Sequence, residues 1–257
     1  MKLRRLLLAL AVAAAPVAAQ AFDKANAPVP AATFALMKAK DMAPAAPVLL
    51  RSYKKEALIE VWKQTRAGRY ALLKSFPICR WSGQLGPKRR TGDRQTPEGF
   101  YSVAQKQLNP NSNYYLSFDV GYPNAYDRAH GGTGAYLMVH GTCSSAGCYA
   151  MTDKQVGEIY ALVRDALAAG QPAFQFQAYP FRMTAENLAK HRSDANYDFW
   201  RQLKDGSDRF EATGDEPVVS VAAGRYAFAS RTSDAEAKAA ERLKAEKERV
   251  AALVSDG

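Results

Sequence analysis

Histidine and cysteine are scarce in this chain of 257 residues, with three of each, and beyond Cys143 and Cys148 there is no second short-spaced pair to complete a zinc-finger set. No segment repeats at the roughly 20–50-residue periods of solenoids and propellers. Apart from a short N-terminal run, no stretch approaches the roughly 20 apolar residues that span a bilayer. Basic stretches interleaved with aromatics are missing, as is any RNA-recognition signature, which sets nucleic acid aside as a partner. The glycine cluster Gly131-Gly132-Thr133-Gly134 precedes a strand-like run, and no Lys-Ser/Thr ending follows it. A phosphate cradle needs both that ending and a helix, so nucleotide binding is rejected.

What is present begins with Lys2, Arg4 and Arg5, an apolar run from Leu6 to Ala15, and Ala19-Gln20-Ala21. This pattern predicts a secretory signal over residues 1–21, cut before Phe22. The run is too short for an anchor and no lipid-accepting cysteine follows it, so the expectation is a periplasmic protein without stable membrane insertion. The net charge is +10, and about +7 once the three basic signal residues are removed, which favours anionic partners. Of the anionic partners available, export leaves the cell wall as the best. The length suits one catalytic domain with extensions.

Residues 22–49 are rich in Ala and Pro and read as a linker or N-terminal arm, with a short helix around Phe34–Met37 as an option. Residues 57–62 and 70–76 read as a hairpin about Arg66-Ala67-Gly68, and residues 100–103, 114–118, 135–140 and 174–179 as further strands. Thr152 or Asp153 begins a helix carrying Val156, Ile159, Tyr160, Leu162, Val163 and Leu167 at helical spacing as far as Gly170. A shorter helix is expected over residues 196–204. Residues 226–257 are dominated by Ala, Glu, Lys and Arg and read as a solvated helical tail.

Chemistry concentrates in His140-Gly141-Thr142-Cys143-Ser144-Ser145-Ala146-Gly147-Cys148, an imidazole at a strand end and a thiol expected just before a helix. A neighbouring His can take the proton of a thiol, and a helix N-terminus would lower the thiol pKa. Gly147 would let backbone N–H groups, its own and that of Cys148, approach an oxyanion. From spacing alone, a turn glycine and a small packed thiol account for the segment equally well.

His140-Gly141 with Ser145-x-Gly147-Cys148 resembles the active-site signature of the YkuD-type L,D-transpeptidases. The likeness extends through residues 78–87, 92–101, 149–153 and 180–184 and is strongest to the YafK-like branch, covering roughly residues 50–225. It implies an α+β, β-rich catalytic domain over residues 50–225 with a few covering helices, acting without cofactor or metal in cell wall biogenesis and cell shape. It implies Cys148 as nucleophile and His140 as base on peptidoglycan stem peptides, through a thioester, with Gly147 and Ser145 shaping the site. Transpeptidation is the first expectation. The alternative is an amidase that releases a wall-linked lipoprotein. The chain departs from many members in having Ala146 where they carry a second His, Ala150 where they carry an Arg, and a shorter interval from His140 to Cys148.

Three cysteines in an exported chain leave one over. Pairing Cys79 with Cys143 would keep Cys148 free, whereas a buried, reduced Cys79 is the competing arrangement. Arg182 is a candidate to bind a stem carboxylate, against a purely structural ion pair. Tyr114, Tyr115 and Tyr136 either line a groove or fill the core; His130 and His191 read as surface residues. Two readings of other classes stay open: a zinc site of His140, Cys143 and Cys148 with His130, and a wall-binding domain without catalysis.

Overall fold

The computed structural model describes residues 23–255; the signal expected over residues 1–21 lies outside them. The segment expected to be a linker or loose arm is firmly attached instead. Pro30 introduces helix α1 (Ala31–Ala39), and Met37 and Met42 are buried in the main core. The Thr33 hydroxyl donates to the Glu158 carboxylate, which also takes Lys74 at 2.6 Å. Two unbranched thioether side chains fill core gaps well, so a segment with little apolar area can still dock.

A five-stranded mixed sheet is built from β1 (Val48–Tyr53), β2 (Leu58–Gln64), β3 (Tyr70–Pro77), β4 (Gly99–Ala104) and a later strand beside β1. The expected hairpin is β2–β3, turning at Gly68, whose φ of +81° suits glycine. β1 was not expected as a strand. All six of its residues are buried, because both faces of the sheet are covered, and such a strand shows no period-two alternation.

A second sheet of four strands runs β5 (Leu108–Asn109), β6 (Ser117–Asp119), β7 (Met138–His140), β8 (Tyr149–Ala150), with the short helix α2 (Ala125–Ala129) between β6 and β7. The segments expected as strands over residues 114–118 and 135–140 contribute only their last residues to pairing. Helix α3 (Asp153–Ala168) follows, capped by Thr152 and Gln155 in a reciprocal box. β9 (Ala173–Tyr179) then returns between β1 and β4. Phe118, Val139 and Tyr149 of the second sheet, Phe174 and Phe176 of β9, and Val156, Ile159 and Val163 of α3 share the main core.

The other face of the first sheet is covered by α4 (Ala185–Lys190) and α5 (Tyr197–Thr213), with Trp200 and Leu203 fully buried. Gly206 lets α5 lie close, since a Cβ there would sit 2.4 Å from the Phe100 ring and 2.6 Å from that of Phe228. The hairpin β10 (Val218–Ala222) and β11 (Arg225–Ala229) packs on this layer. The domain end expected at residue 225 therefore falls inside a hairpin and moves beyond Ala229. Helix α6 (Ser233–Ser255) is not simply solvated: Ala239 and Val250 are buried, Lys204 meets Glu246 at 2.8 Å and Arg209 meets Glu236 at 2.6 Å. Its attachment is largely ionic, and charged residues at sparse apolar spacing read as solvent-facing in a sequence. No helix among the described residues is long and apolar enough to cross a membrane.

Between the two layers lies a fully buried ion pair. Lys54 Nζ contacts Glu98 Oε1 at 3.0 Å, and both side chains are inaccessible. Glu98 also accepts from the Gly86 N–H at 2.8 Å and from the Trp200 indole at 2.9 Å, while Lys54 donates to the Gly86 carbonyl at 2.9 Å. Burial lowers the Lys54 pKa, and Glu98 opposes that shift. Removing one partner of such a pair leaves an uncompensated charge, costing about 3–5 kcal/mol. Glu98→Ala should lose that much in urea unfolding, and Lys54→Met/Glu98→Ala less than the single change. A single-mutant loss below about 1 kcal/mol, the value of an exposed pair, would contradict this role.

Candidate active site

β7 and β8 pair in parallel, with Val139 opposite Tyr149 and His140 opposite Ala150. Val139 and Tyr149 point into the core. Side chains alternate along a strand, so His140 and Cys148 project from the opposite face, where both line one cleft of about 540 Å³. The sulfur accepts the Met138 N–H at 3.4 Å. Cys148 does not sit at a helix N-terminus as expected, since β8 separates it from α3.

The connection from His140 to Cys148 is tightly constrained. A Cβ on Gly141 would lie 2.4 Å from Asp153 Oδ1 and 2.8 Å from the Tyr114 carbonyl, so glycine is required beside the imidazole. Asp153 accepts the Thr142 N–H at 2.8 Å and Met151 the Cys143 N–H at 3.1 Å. Cys79 and Cys143 form a disulfide with Cα atoms 5.2 Å apart, and Cys148 is free. That bond removes Cys143 as a thiolate ligand and with it the proposed zinc set.

His140 Nδ1 lies 2.6 Å from the Gly141 carbonyl. A carbonyl only accepts, so Nδ1 carries the proton and Nε2 offers its lone pair. The ring lies 4.8 Å from that of Tyr114. Burial lowers the pKa of His140, opposed by the Gly141 carbonyl. Burial raises that of Cys148, with Asp119 adding to it and the Met138 N–H and Lys88 opposing it. Both groups are therefore neutral at rest, in contrast to the lowered thiol pKa expected from a helix terminus.

Two hydroxyls hold the Cys148 carbonyl: Ser145 donates at 2.8 Å and Thr96 at 3.2 Å. Thr96, fully buried, accepts the Ser82 N–H at 2.9 Å, and the Ser82 hydroxyl donates to Ser145 at 2.9 Å. Ser145 also accepts the Gly147 N–H at 3.2 Å, which engages one of the two donors expected to face an oxyanion. Thr96 and Ser82 escaped the sequence reading because their Gly- and Pro-rich block signals turns, not contacts with residues 52 and 63 positions away.

The cleft brings together His140, Cys148, Gly147 and Ser145 with Tyr114 and Tyr136, which are 51% and 75% exposed; Tyr115 packs against the core. Arg182 is not among the lining residues. It pairs with Glu60 at 2.8 Å and covers the Tyr53 ring at 4.7 Å, on the far side of the first sheet. His130 stacks on Tyr126 at 4.1 Å beside a separate cavity, and His191, half-buried instead of free on the surface, stacks on Phe181 at 4.4 Å.

The family model for the YkuD L,D-transpeptidase catalytic domain matches residues 48–216. A protein of Escherichia coli K12, provisionally named L,D-transpeptidase YafK, is 51% identical over 180 residues, 70% of this chain and 73% of its own length. Among solved structures, the helical cell shape determining protein Pgp2 of Campylobacter jejuni covers 74% of this chain and 80% of its own at 16% identity and a TM-score of 0.42. Bd1075 of Bdellovibrio bacteriovorus covers 69% and 78% at 14% identity and a TM-score of 0.37.

In the oxidised protein, iodoacetamide should label Cys148 alone, with a rate that titrates above the ordinary thiol range. An apparent pKa below about 7.5, typical of activated thiolates, would contradict the neutral resting pair. Thr96→Val should cost about 1–3 kcal/mol by leaving the Ser82 N–H unpaired, with Thr96→Ser restoring it in denaturant titrations; equal stability of all three proteins would remove Thr96 from the scaffold of Cys148.

Proposed function

The chain belongs to the YkuD family of L,D-transpeptidase catalytic domains, and on that premise we propose that it is an exported, periplasmic acyl-transfer enzyme of peptidoglycan with Cys148 as nucleophile and His140 as proton shuttle. The observation that carries this reading is that both side chains project from one face of the β7–β8 pair into one cleft. The imidazole there has its Nδ1 proton tied to a carbonyl and Nε2 open.

In the proposed reaction the Cys148 sulfur attacks the amide carbonyl at the diaminopimelate residue of a stem peptide. Its proton passes to His140 Nε2 as the S–C bond forms, so the neutral resting pair charges only during attack. Collapse of the tetrahedral adduct breaks the C–N bond, and His140 delivers the proton to the departing amine. This leaves a peptidyl thioester. An incoming amine from a second stem attacks that carbonyl and gives a proton to His140; as the new C–N bond forms the C–S bond breaks, and His140 returns that proton to the sulfur. Because burial lowers the His140 pKa, the base form persists below the usual imidazole range and the acidic limb of the acylation rate should lie below about 6.5.

The same thioester met by water gives hydrolysis. With a wall-linked lipoprotein as the departing amine, the outcome is release of that protein, the second outcome that the YafK-like resemblance implies.

Incubation with stem peptides and with wall fragments carrying a linked lipoprotein, followed by mass spectrometry, tests both. Wild type should form a covalent acyl adduct and then either new cross-links or released protein. Cys148→Ala should form neither, and His140→Ala should slow acylation by about 10²–10⁴-fold. Full wall binding with no adduct, unchanged by Cys148→Ala, would replace the enzyme reading with a binding domain.

A further inference from the structure

Asp93 organises the loop from Lys88 to Gln95. Its carboxylate accepts the N–H groups of Arg89 and Arg90 at 2.9 Å each and of Gln95 at 3.0 Å, and it pairs with the Lys88 ammonium. Burial alone would raise the Asp93 carboxyl, but Lys88 and these N–H groups outweigh it and hold it at about 2. The loop is thus a fixed structure, and it sets Arg94 at φ +53°, a backbone region that side chains other than glycine seldom adopt.

Arg94 lines the Cys148 cleft, and neither an ion pair nor a hydrogen bond from its guanidinium occurs among the described residues. The other cation there, Lys88, is already satisfied by Asp93 and by the Arg90 carbonyl at 2.9 Å. No Asp or Glu is among the residues lining the cleft. An unpaired guanidinium on a braced loop, facing a cleft without carboxylates, is prepared to take a planar anion through two parallel N–H donors.

We infer that Arg94 is a specificity-determining residue that binds a carboxylate of the peptide lying in the Cys148 cleft. The inference rests on the acyl-transfer reading for the identity of that peptide, and it moves carboxylate recognition from Arg182, which is spent on Glu60, to the opposite side of the molecule. The two residues joined by the reacting amide of a stem tetrapeptide carry one such group each: the side-chain carboxylate of diaminopimelate and the C-terminal carboxylate. Either has the chemistry required, and selective amidation separates them.

The test uses the full mature chain carrying Cys148→Ala, titrated calorimetrically with a stem tetrapeptide, with its diaminopimelate side-chain carboxamide and with its C-terminal carboxamide. One of the two carboxamides should bind about tenfold more weakly than the free acid. Adding Arg94→Gln should weaken the free acid by the same factor and abolish the distinction, and Arg94→Lys should recover part of it. Arg89→Gln, on the same loop but outside this cleft, should change nothing. The inference is overturned if Arg94→Gln binds every peptide as its parent does, if both carboxamides bind like the free acid, or if no peptide binds. Turnover with the Cys148-intact protein separates the two claims. Carboxylate-dependent binding without turnover removes the acyl-transfer reading and leaves Arg94 standing, whereas turnover indifferent to Arg94→Gln and to amidation removes Arg94 alone.

Discussion

The buried pair of Lys54 and Glu98 is the constraint on which the site depends. One carboxylate joins the end of β1, the start of β4, the Trp200 indole of α5 and the Gly86 backbone. Charges withdrawn this completely from water tolerate little displacement, because any lengthening leaves desolvation unopposed. Glu98 is two residues beyond Thr96, which holds the Cys148 carbonyl. A rigid electrostatic joint in the middle of the fold thereby sets the backbone position of Cys148, while its sulfur keeps one contact, with the Met138 N–H at 3.4 Å.

The same separation of duties marks the electrostatics of the cleft. Hydrogen bonds around Cys148 act mainly on its carbonyl, not its sulfur, and burial keeps both Cys148 and His140 uncharged. A neutral pair fits the proposed export, because a standing thiolate in an oxidising compartment would be open to oxidation and exchange. In the proposed acyl transfer, charge then develops only where an acyl group is present to receive the sulfur's electrons.

What the sequence disclosed was what is local. The α3 cap, the β2–β3 turn and the His140–Cys148 segment were legible because each is written in a few adjacent residues. β1 was hidden because its burial on two faces erases alternation. Thr96 was hidden because its partner is remote. Arg182 and Arg94 look alike in a sequence, and what separates them is that Arg182 pairs with Glu60 whereas Arg94 makes no ion pair among the described residues. The attachment of α6 was misread for the same reason, since an ionic contact and a solvated charge have one composition.

The disulfide bears on how the protein reaches this state. In a chain that crosses a membrane N-terminus first, as the proposed export requires, Cys79 emerges well ahead of Cys143, and Cys148 follows only five positions later. At about 5–20 residues per second those five positions pass in about a second or less, whereas disulfides take seconds to hours to form. Order of arrival therefore does not choose between Cys143 and Cys148; the fold does, by setting the Cα atoms of Cys79 and Cys143 5.2 Å apart while Cys148 stays in the cleft.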